Sequence, residues 1–106
     1  MIEILVVDDH PIVREGLTRL IEFEKDMTVV GTAKNSSEAI NMASTKKMDV
    51  IVLDISMPGR SGLDIIQDLK KILPAVKIII LSMYEEERFA LRAFKAGASG
   101  YVTKEM

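Results

Sequence analysis

Apolar residues in this chain fall into short unbroken runs separated by longer stretches with one apolar residue every three or four positions. The runs predict strands at Glu3–Val7, Thr28–Thr32, Val50–Leu53 and Lys77–Leu81, with a short fifth near Gly100–Val102. The spaced stretches predict four helices. The first opens at Pro11, a residue suited to the first helical turn, and puts Ile12, Val13, Leu17, Leu20 and Ile21 on one stripe. The second follows Asn35 or Ser36 and presents Ala39, Ile40 and Ala43, while the third uses Leu63, Ile66, Leu69 and Leu73 and stops before Pro74. The fourth runs from about Glu85, whose acidic neighbours suit a first turn, to Ala96, with Gly97 as a left-handed stop.

Strands alternating with helices indicate a parallel sheet in an α/β fold. Strands two to four are β-branched runs with little polar alternation, which predicts a doubly wound sheet covered on both faces. Five strands with only four helices leave one covering helix short. The 106 residues suffice for one domain with one core. Neither an internal repeat beyond the βα alternation nor a linker is evident.

Three strand ends carry polar groups: Asp8 and Asp9 after the first, Asp54 after the third and Ser82 after the fourth. Ligands of open parallel sheets bind beyond the carboxyl ends of the strands, so these groups predict one polar site. Carboxylates gathered there repel one another, and a divalent cation resolves the repulsion. Mg²⁺ fits best, being a hard ion that takes a few oxygen ligands and keeps several waters. With the hydroxyl of Ser82 and the late Lys104, the set suits phosphoryl transfer to a carboxylate. Taken singly, each residue also has an ordinary role: Asp9 as a helix cap, Asp54 as a loop opener, Ser82 as a strand end, Lys104 as a solvated lysine and Tyr101 as core. His10, at a helix start, reads as a capping or surface histidine.

Composition narrows the classes. Fourteen basic and sixteen acidic residues, dispersed, give a net charge of −2 and no basic stripe, so this segment is not expected to bind nucleic acid. Without cysteine there is no disulfide or thiolate metal site, and one histidine rules out a histidine cluster. No apolar stretch reaches the roughly 18 residues of a membrane span and no basic, apolar leader opens the chain, so a cytoplasmic location is the default and no membrane partner is expected.

Asp8-Asp9, Asp54 followed by Met57-Pro58-Gly59, Ser82, and Tyr101 three residues before Lys104 together resemble the receiver domain of a two-component response regulator over nearly the whole chain. The stretches Val6-Val7-Asp8-Asp9-His10-Pro11-Ile12-Val13-Arg14 and Ala96-Gly97-Ala98-Ser99-Gly100-Tyr101 resemble the NarL/FixJ subgroup, whose members usually continue into a helix-turn-helix DNA-binding domain not contained in this sequence. The resemblance implies a flavodoxin-like sheet of order 2-1-3-4-5. It implies that Asp54 accepts a phosphoryl group from a sensor histidine kinase, and that Asp9, Asp54 and the Ser56 carbonyl bind Mg²⁺ directly, with Asp8 acting through water. Lys104 would pair with Asp54 and then with the phosphoryl oxygens, and Ser82 and Tyr101 would form the switch. Ser56 and Tyr84 would govern water access to the acyl phosphate.

Two departures carry expectations of their own. The sequence stops where the family's fifth helix begins, which predicts uncovered apolar surface beside the first helix, and with it a destabilised or self-associating domain. Each large apolar side chain left unburied forgoes roughly 1.5–3 kcal/mol, against a total stability of roughly 5–15 kcal/mol. Glu105 stands where many receivers have proline after the lysine, and a cis bond there without proline would cost about 2.5–4 kcal/mol. Competing readings are a phosphatase built on the same aspartate and Mg²⁺, for which the chain is short of a cap or substrate pocket, and a degenerate interaction module.

Overall fold

The computed structural model describes residues 1–54, 62–82 and 87–103. In chain order the elements are β1 (Ile2–Val7), α1 (Pro11–Glu22), β2 (Met27–Ala33), α2 (Ser36–Thr45), β3 (Val50–Asp54), α3 (Gly62–Ile72), β4 (Lys77–Ser82), α4 (Glu87–Ala96) and β5 (Gly100–Thr103). All strand pairs are parallel, in the order β2-β1-β3-β4-β5 expected for the doubly wound sheet. No fifth helix lies among the described residues.

Helix ends follow their local chemistry. Asn35, rather than Ser36, caps α2, its side chain accepting from the Glu38 amide at 2.8 Å while Glu38 Oε1 accepts from the Lys34 amide at 3.0 Å. At the end of α4, the Gly97 amide bonds to the Phe94 carbonyl and the Ala98 amide to the Ala93 carbonyl, a paired closure that needs the left-handed turn. Gly97 provides it, with φ +120°. The chain then enters β5 through the Ser99 amide, which bonds to the Ile78 carbonyl at 2.7 Å.

Asp49 sets the register of the central strands. Its amide bonds to the Glu3 carbonyl at 2.8 Å, its Oδ2 accepts from the Glu3 amide at 2.8 Å, and its carbonyl accepts from Lys77 at 3.0 Å. With β1, β3 and β4 pinned at that end, Val7 pairs with Leu53 and Leu53 with Ile80. The three strands therefore finish within two residues of one another. Between β1 and β2 the register slips by one residue at Val30, so that Gly31 faces Leu5. A Cβ on Gly31 would lie 3.1 Å from Met42 Sδ, so glycine lets β2 run close under α2.

The core lies on one face of the sheet. Leu5 and Val7 of β1, Ile51 and Leu53 of β3, and Ile78 and Ile80 of β4 are buried against Ala39 and Ala43 of α2, Ile65, Ile66 and Leu69 of α3, and Ala93 of α4. Leu73 is half-buried against this cluster, and the side chain of Leu63 lies outside the described residues.

The opposite face differs from the expectation of a sheet covered on both sides. Only α1 lies there among the described residues, and it packs on β1 and β2. Ile4 and Val6 are buried, but Val52, Ile79 and Leu81 are only half-buried and Val102 is 50% exposed. Among the described residues, the apolar runs of β3 and β4 are therefore sealed on one side only. The predicted stripe of α1 also divides: Val13, Leu17 and Ile21 are half-buried, whereas Ile12 and Leu20 are 85% and 71% exposed, and Phe23 just beyond the helix 86%. No residue of α1 is fully buried. Ile12, Gly16, Leu20 and Phe23 recur every three or four residues, forming a second helical face turned away from β2, over which no described element packs. Among the described residues this is the apolar surface left without a covering helix that a five-strand, four-helix count predicts.

Candidate functional site

The neighbouring carboxyl ends of β1, β3 and β4 form the candidate site. Asp8 follows β1 directly, Asp54 is the last residue of β3 and Ser82 the last of β4. Asp54 pairs with Leu81, which places Ser82 one residue beyond its register partner. Asp8, Asp54 and Ser82 are completely buried, the only buried polar side chains among the described residues, whereas Asp9 is 27% exposed. Burying two carboxylates side by side costs free energy unless something offsets their charge. Asp8, Asp9, His10 and Asp54 each offer a ligand atom within 4.8 Å of the others.

Asp8 is held by both strand and helix. Its amide bonds to the Ala33 carbonyl of β2 at 3.0 Å, and its carbonyl accepts from Arg14 Nη1 of α1 at 2.8 Å. Its Oδ1 accepts from the His10 amide at 2.8 Å.

Pro11 explains the placement of His10. A residue before proline is driven into extended backbone, and His10 has φ −97° and ψ 114°. It occupies the capping position of α1, as the sequence reading allowed, but its side chain makes no capping bond. The ring turns toward the acids instead, with Nδ1 3.2 Å from Asp8 Oδ1 and 2.9 Å from Asp9 Oδ1. Asp9 is likewise not the helix cap, so the capping role considered for it is not borne out.

Oδ1 of Asp9 is sealed from solvent and receives no hydrogen bond among the described residues. His10 Nδ1 lies 2.9 Å away but hydrogen-bonds to Asp8 Oδ1 instead, at 3.2 Å. A buried carboxylate oxygen without a donor, beside two fully buried carboxylates, is a donor set that fits a hard divalent cation.

Tyr101 pairs with Ile80 and lies half-buried against the core cluster. Thr103 pairs with Ser82, so the chain leaves β5 beside the site. Lys104, Ser56 with its Met57-Pro58-Gly59 neighbours, Tyr84 and the Lys104–Glu105 peptide lie outside the described residues. Sequence reasoning missed Arg14 and undervalued His10. The available signal was Pro11, which fixes the extended backbone before it and starts, directly behind the acids, the helix that carries Arg14.

A doubly wound parallel sheet with an acidic cluster at its strand ends defines the class of open α/β domains whose ligands bind beyond the carboxyl ends of the strands, here at acids that could hold a metal ion. Within it, the chain belongs to the response regulator receiver domain family, whose profile matches residues 4–106. It is 39% identical over 104 residues to the response regulator GacA of Pseudomonas aeruginosa, covering 98% of this chain and 49% of GacA. Its fold superposes with TM-score 0.92 on a LuxR-family two-component response regulator from an Aurantimonas species, at 43% identity, covering 97% of this chain and 74% of that one. A response regulator from Burkholderia pseudomallei, solved with a phosphorylated aspartic acid, calcium ion and citrate, superposes with TM-score 0.90 at 30% identity, covering 100% of this chain and 61% of that one. The relatives are regulators of the NarL, GacA and DegU type. The chain spans about half the length of the curated relatives it matches.

Proposed function

We propose that Asp54 is the phosphoacceptor of this receiver domain. A carboxylate oxygen of Asp54 attacks the phosphorus of a phosphohistidine on a sensor histidine kinase; the P–N bond breaks, its electron pair leaves with the imidazole nitrogen, and an acyl phosphate forms. The observation that carries this reading is the convergence of fully buried Asp54 with Asp8 and Asp9 beside the strand end bearing Ser82. A divalent cation, Mg²⁺ in the cell, held directly by Asp9, Asp54 and the Ser56 carbonyl and through water by Asp8, would neutralise charge on the transferred oxygens. Lys104 pairs with Asp54 and then with a phosphoryl oxygen. Ser82 hydrogen-bonds the new phosphoryl group, and Tyr101 completes its burial, which reshapes the face formed by α4 and β5. Hydrolysis of the acyl phosphate by water resets the domain, and no other turnover is assigned to it.

Ser56 and Tyr84 set the access of that water. Replacing Tyr84 with alanine is expected to speed loss of the phosphoryl group, and equal decay in the two proteins would remove Tyr84 from this role.

The domain acts in the cytoplasm, binds neither DNA nor membrane itself, and controls transcription where it is joined to a helix-turn-helix DNA-binding domain. The apolar face beside α1, where the family has its fifth helix, is the surface through which residues 1–106 alone would pair with a second copy.

Incubation with acetyl phosphate and Mg²⁺ tests the central step. One phosphoryl group per chain is expected, and none in Asp54→Asn. Multiple turnover of small phosphoesters would favour a phosphatase, and unlabelled wild-type protein a purely structural module. A form extended by a fifth helix, assayed alongside, separates a failed site from a weakened scaffold.

A further inference from the structure

We infer that His10 is a nitrogen ligand to the cation of this site, giving it a preference for a first-row transition ion over Mg²⁺; this rests on the reading of the acids as a cation site given above. Three observations support it. First, Pro11 holds His10 in extended backbone and the Asp8 carboxylate anchors the His10 amide at 2.8 Å, so the backbone that carries the imidazole is fixed at the mouth of the acid cluster. Second, Nδ1 lies 2.9 Å from Asp9 Oδ1 and 3.2 Å from Asp8 Oδ1. Ligands at about 2.1 Å from a six-coordinate ion and at right angles to each other are about 3.0 Å apart, close to the spacing of Nδ1 and Asp9 Oδ1. Third, Asp9 Oδ1 is sealed from solvent yet is not hydrogen-bonded to that nearby nitrogen. On binding an ion, Nδ1 would exchange its 3.2 Å hydrogen bond with Asp8 Oδ1 for a place beside Asp9 Oδ1 in the ion's ligand shell.

An imidazole changes which ion the site selects. Oxygen-only sites suit Mg²⁺, whereas imidazole is a poor ligand for that hard ion and a good one for Ni²⁺, Zn²⁺ and their neighbours. Replacing one bound water by a nitrogen therefore tightens transition-ion binding and leaves Mg²⁺ nearly unaffected. The ring is 65% exposed, so it can swing onto an ion without disturbing the core.

The test is calorimetric titration of the 106-residue protein with MgCl₂ and with NiCl₂, for wild type, His10→Gln and Asp9→Asn, with pulsed electron paramagnetic resonance of the Mn²⁺-loaded protein. In His10→Gln, affinity for Ni²⁺ is expected to fall about tenfold or more. Its Mg²⁺ affinity should stay within about twofold of wild type, because waters complete that ion's shell. Wild type should show nitrogen-14 coupling to Mn²⁺, lost in His10→Gln. Equal losses for both ions, or tighter binding of both in His10→Gln, would overturn the inference and leave His10 as a charge beside the acids. Absence of nitrogen coupling in wild type would overturn it too. Asp9→Asn separates this failure from that of the underlying reading: if it leaves both ions bound as before, the acids are not the cation site at all.

Discussion

Arg14, in the first turn of α1, donates from Nη1 to the backbone carbonyl of Asp8 at 2.8 Å, tying the helix to the loop that carries the acids. The same loop is tied to β2 through the Asp8 amide. Because the guanidinium is charged and the bond part-buried, Arg14→Ala should cost about 1.5–3 kcal/mol, as for other hydrogen bonds made by charged groups. It should also weaken cation binding, since the backbone placing Asp8 and Asp9 loosens. Urea unfolding with and without Mg²⁺ measures both effects, and an unchanged midpoint would mean that Arg14 carries no load.

A cation held by the buried acids should make stability depend on its concentration. An ion that binds only the folded state at ten times its dissociation constant should add about 1.4 kcal/mol, read as a rise in the urea midpoint. Asp8→Asn should reduce that rise and, without any divalent ion, be no less stable than wild type, because one of two completely buried carboxylates has lost its charge. A large loss of stability in metal-free Asp8→Asn would show that its bond from the His10 amide outweighs the repulsion.

Gly97 ends α4 with φ +120°, and an added Cβ would meet Lys70 Cγ at 3.1 Å. Lys70 has little room to give way, because its Nζ bonds to the carbonyls of Pro74 at 3.0 Å and Val76 at 2.8 Å. Gly97→Ala should therefore destabilise by roughly 1–3 kcal/mol through backbone strain and crowding. Thermal unfolding checks this, with Gly16→Ala as the comparison: a Cβ there meets nothing within 4 Å and extends a helix former, so a gain of about 0.5–1 kcal/mol is expected.

The uncovered face separates association from folding. Leu20→Lys with Phe23→Lys changes side chains that are 71% and 86% exposed, so monomer stability should move by no more than about 0.5 kcal/mol. Leu53→Ala, on the buried face, should cost about 2–5 kcal/mol. In sedimentation velocity over a concentration series, wild type should associate and the double lysine variant remain monomeric. Wild type that stays monomeric throughout would remove the uncovered face as a contact between copies.

How far the fold was legible follows from the reach of each interaction. The strands were found to within a residue or so because an apolar run bounded by polar residues is a local pattern, and Asn35, Pro11 and Gly97 mark helix ends through their own backbone chemistry. The apolar stripe of α1 misled in part. Periodicity shows which residues share a helical face, not whether another element covers it, so Ile12 and Leu20 read as core and are exposed. The same reasoning was too generous for β3 and β4, whose β-branched residues are half-buried on one side.

By itself the sequence determined the element order, the parallel α/β class and the identity of the acids at the strand ends, because each depends on residue type and on neighbours along the chain. Only the tertiary structure decided that Val7, Leu53 and Ile80 stand level, so that buried Asp8 and Asp54 come together with Ser82 one residue further along the neighbouring strand. It also turned His10 away from its helix and onto the acids, and drew Arg14 back to the carbonyl of Asp8. Those outcomes depend on register across strands and on helix placement against the sheet, which are distances between residues far apart in the chain.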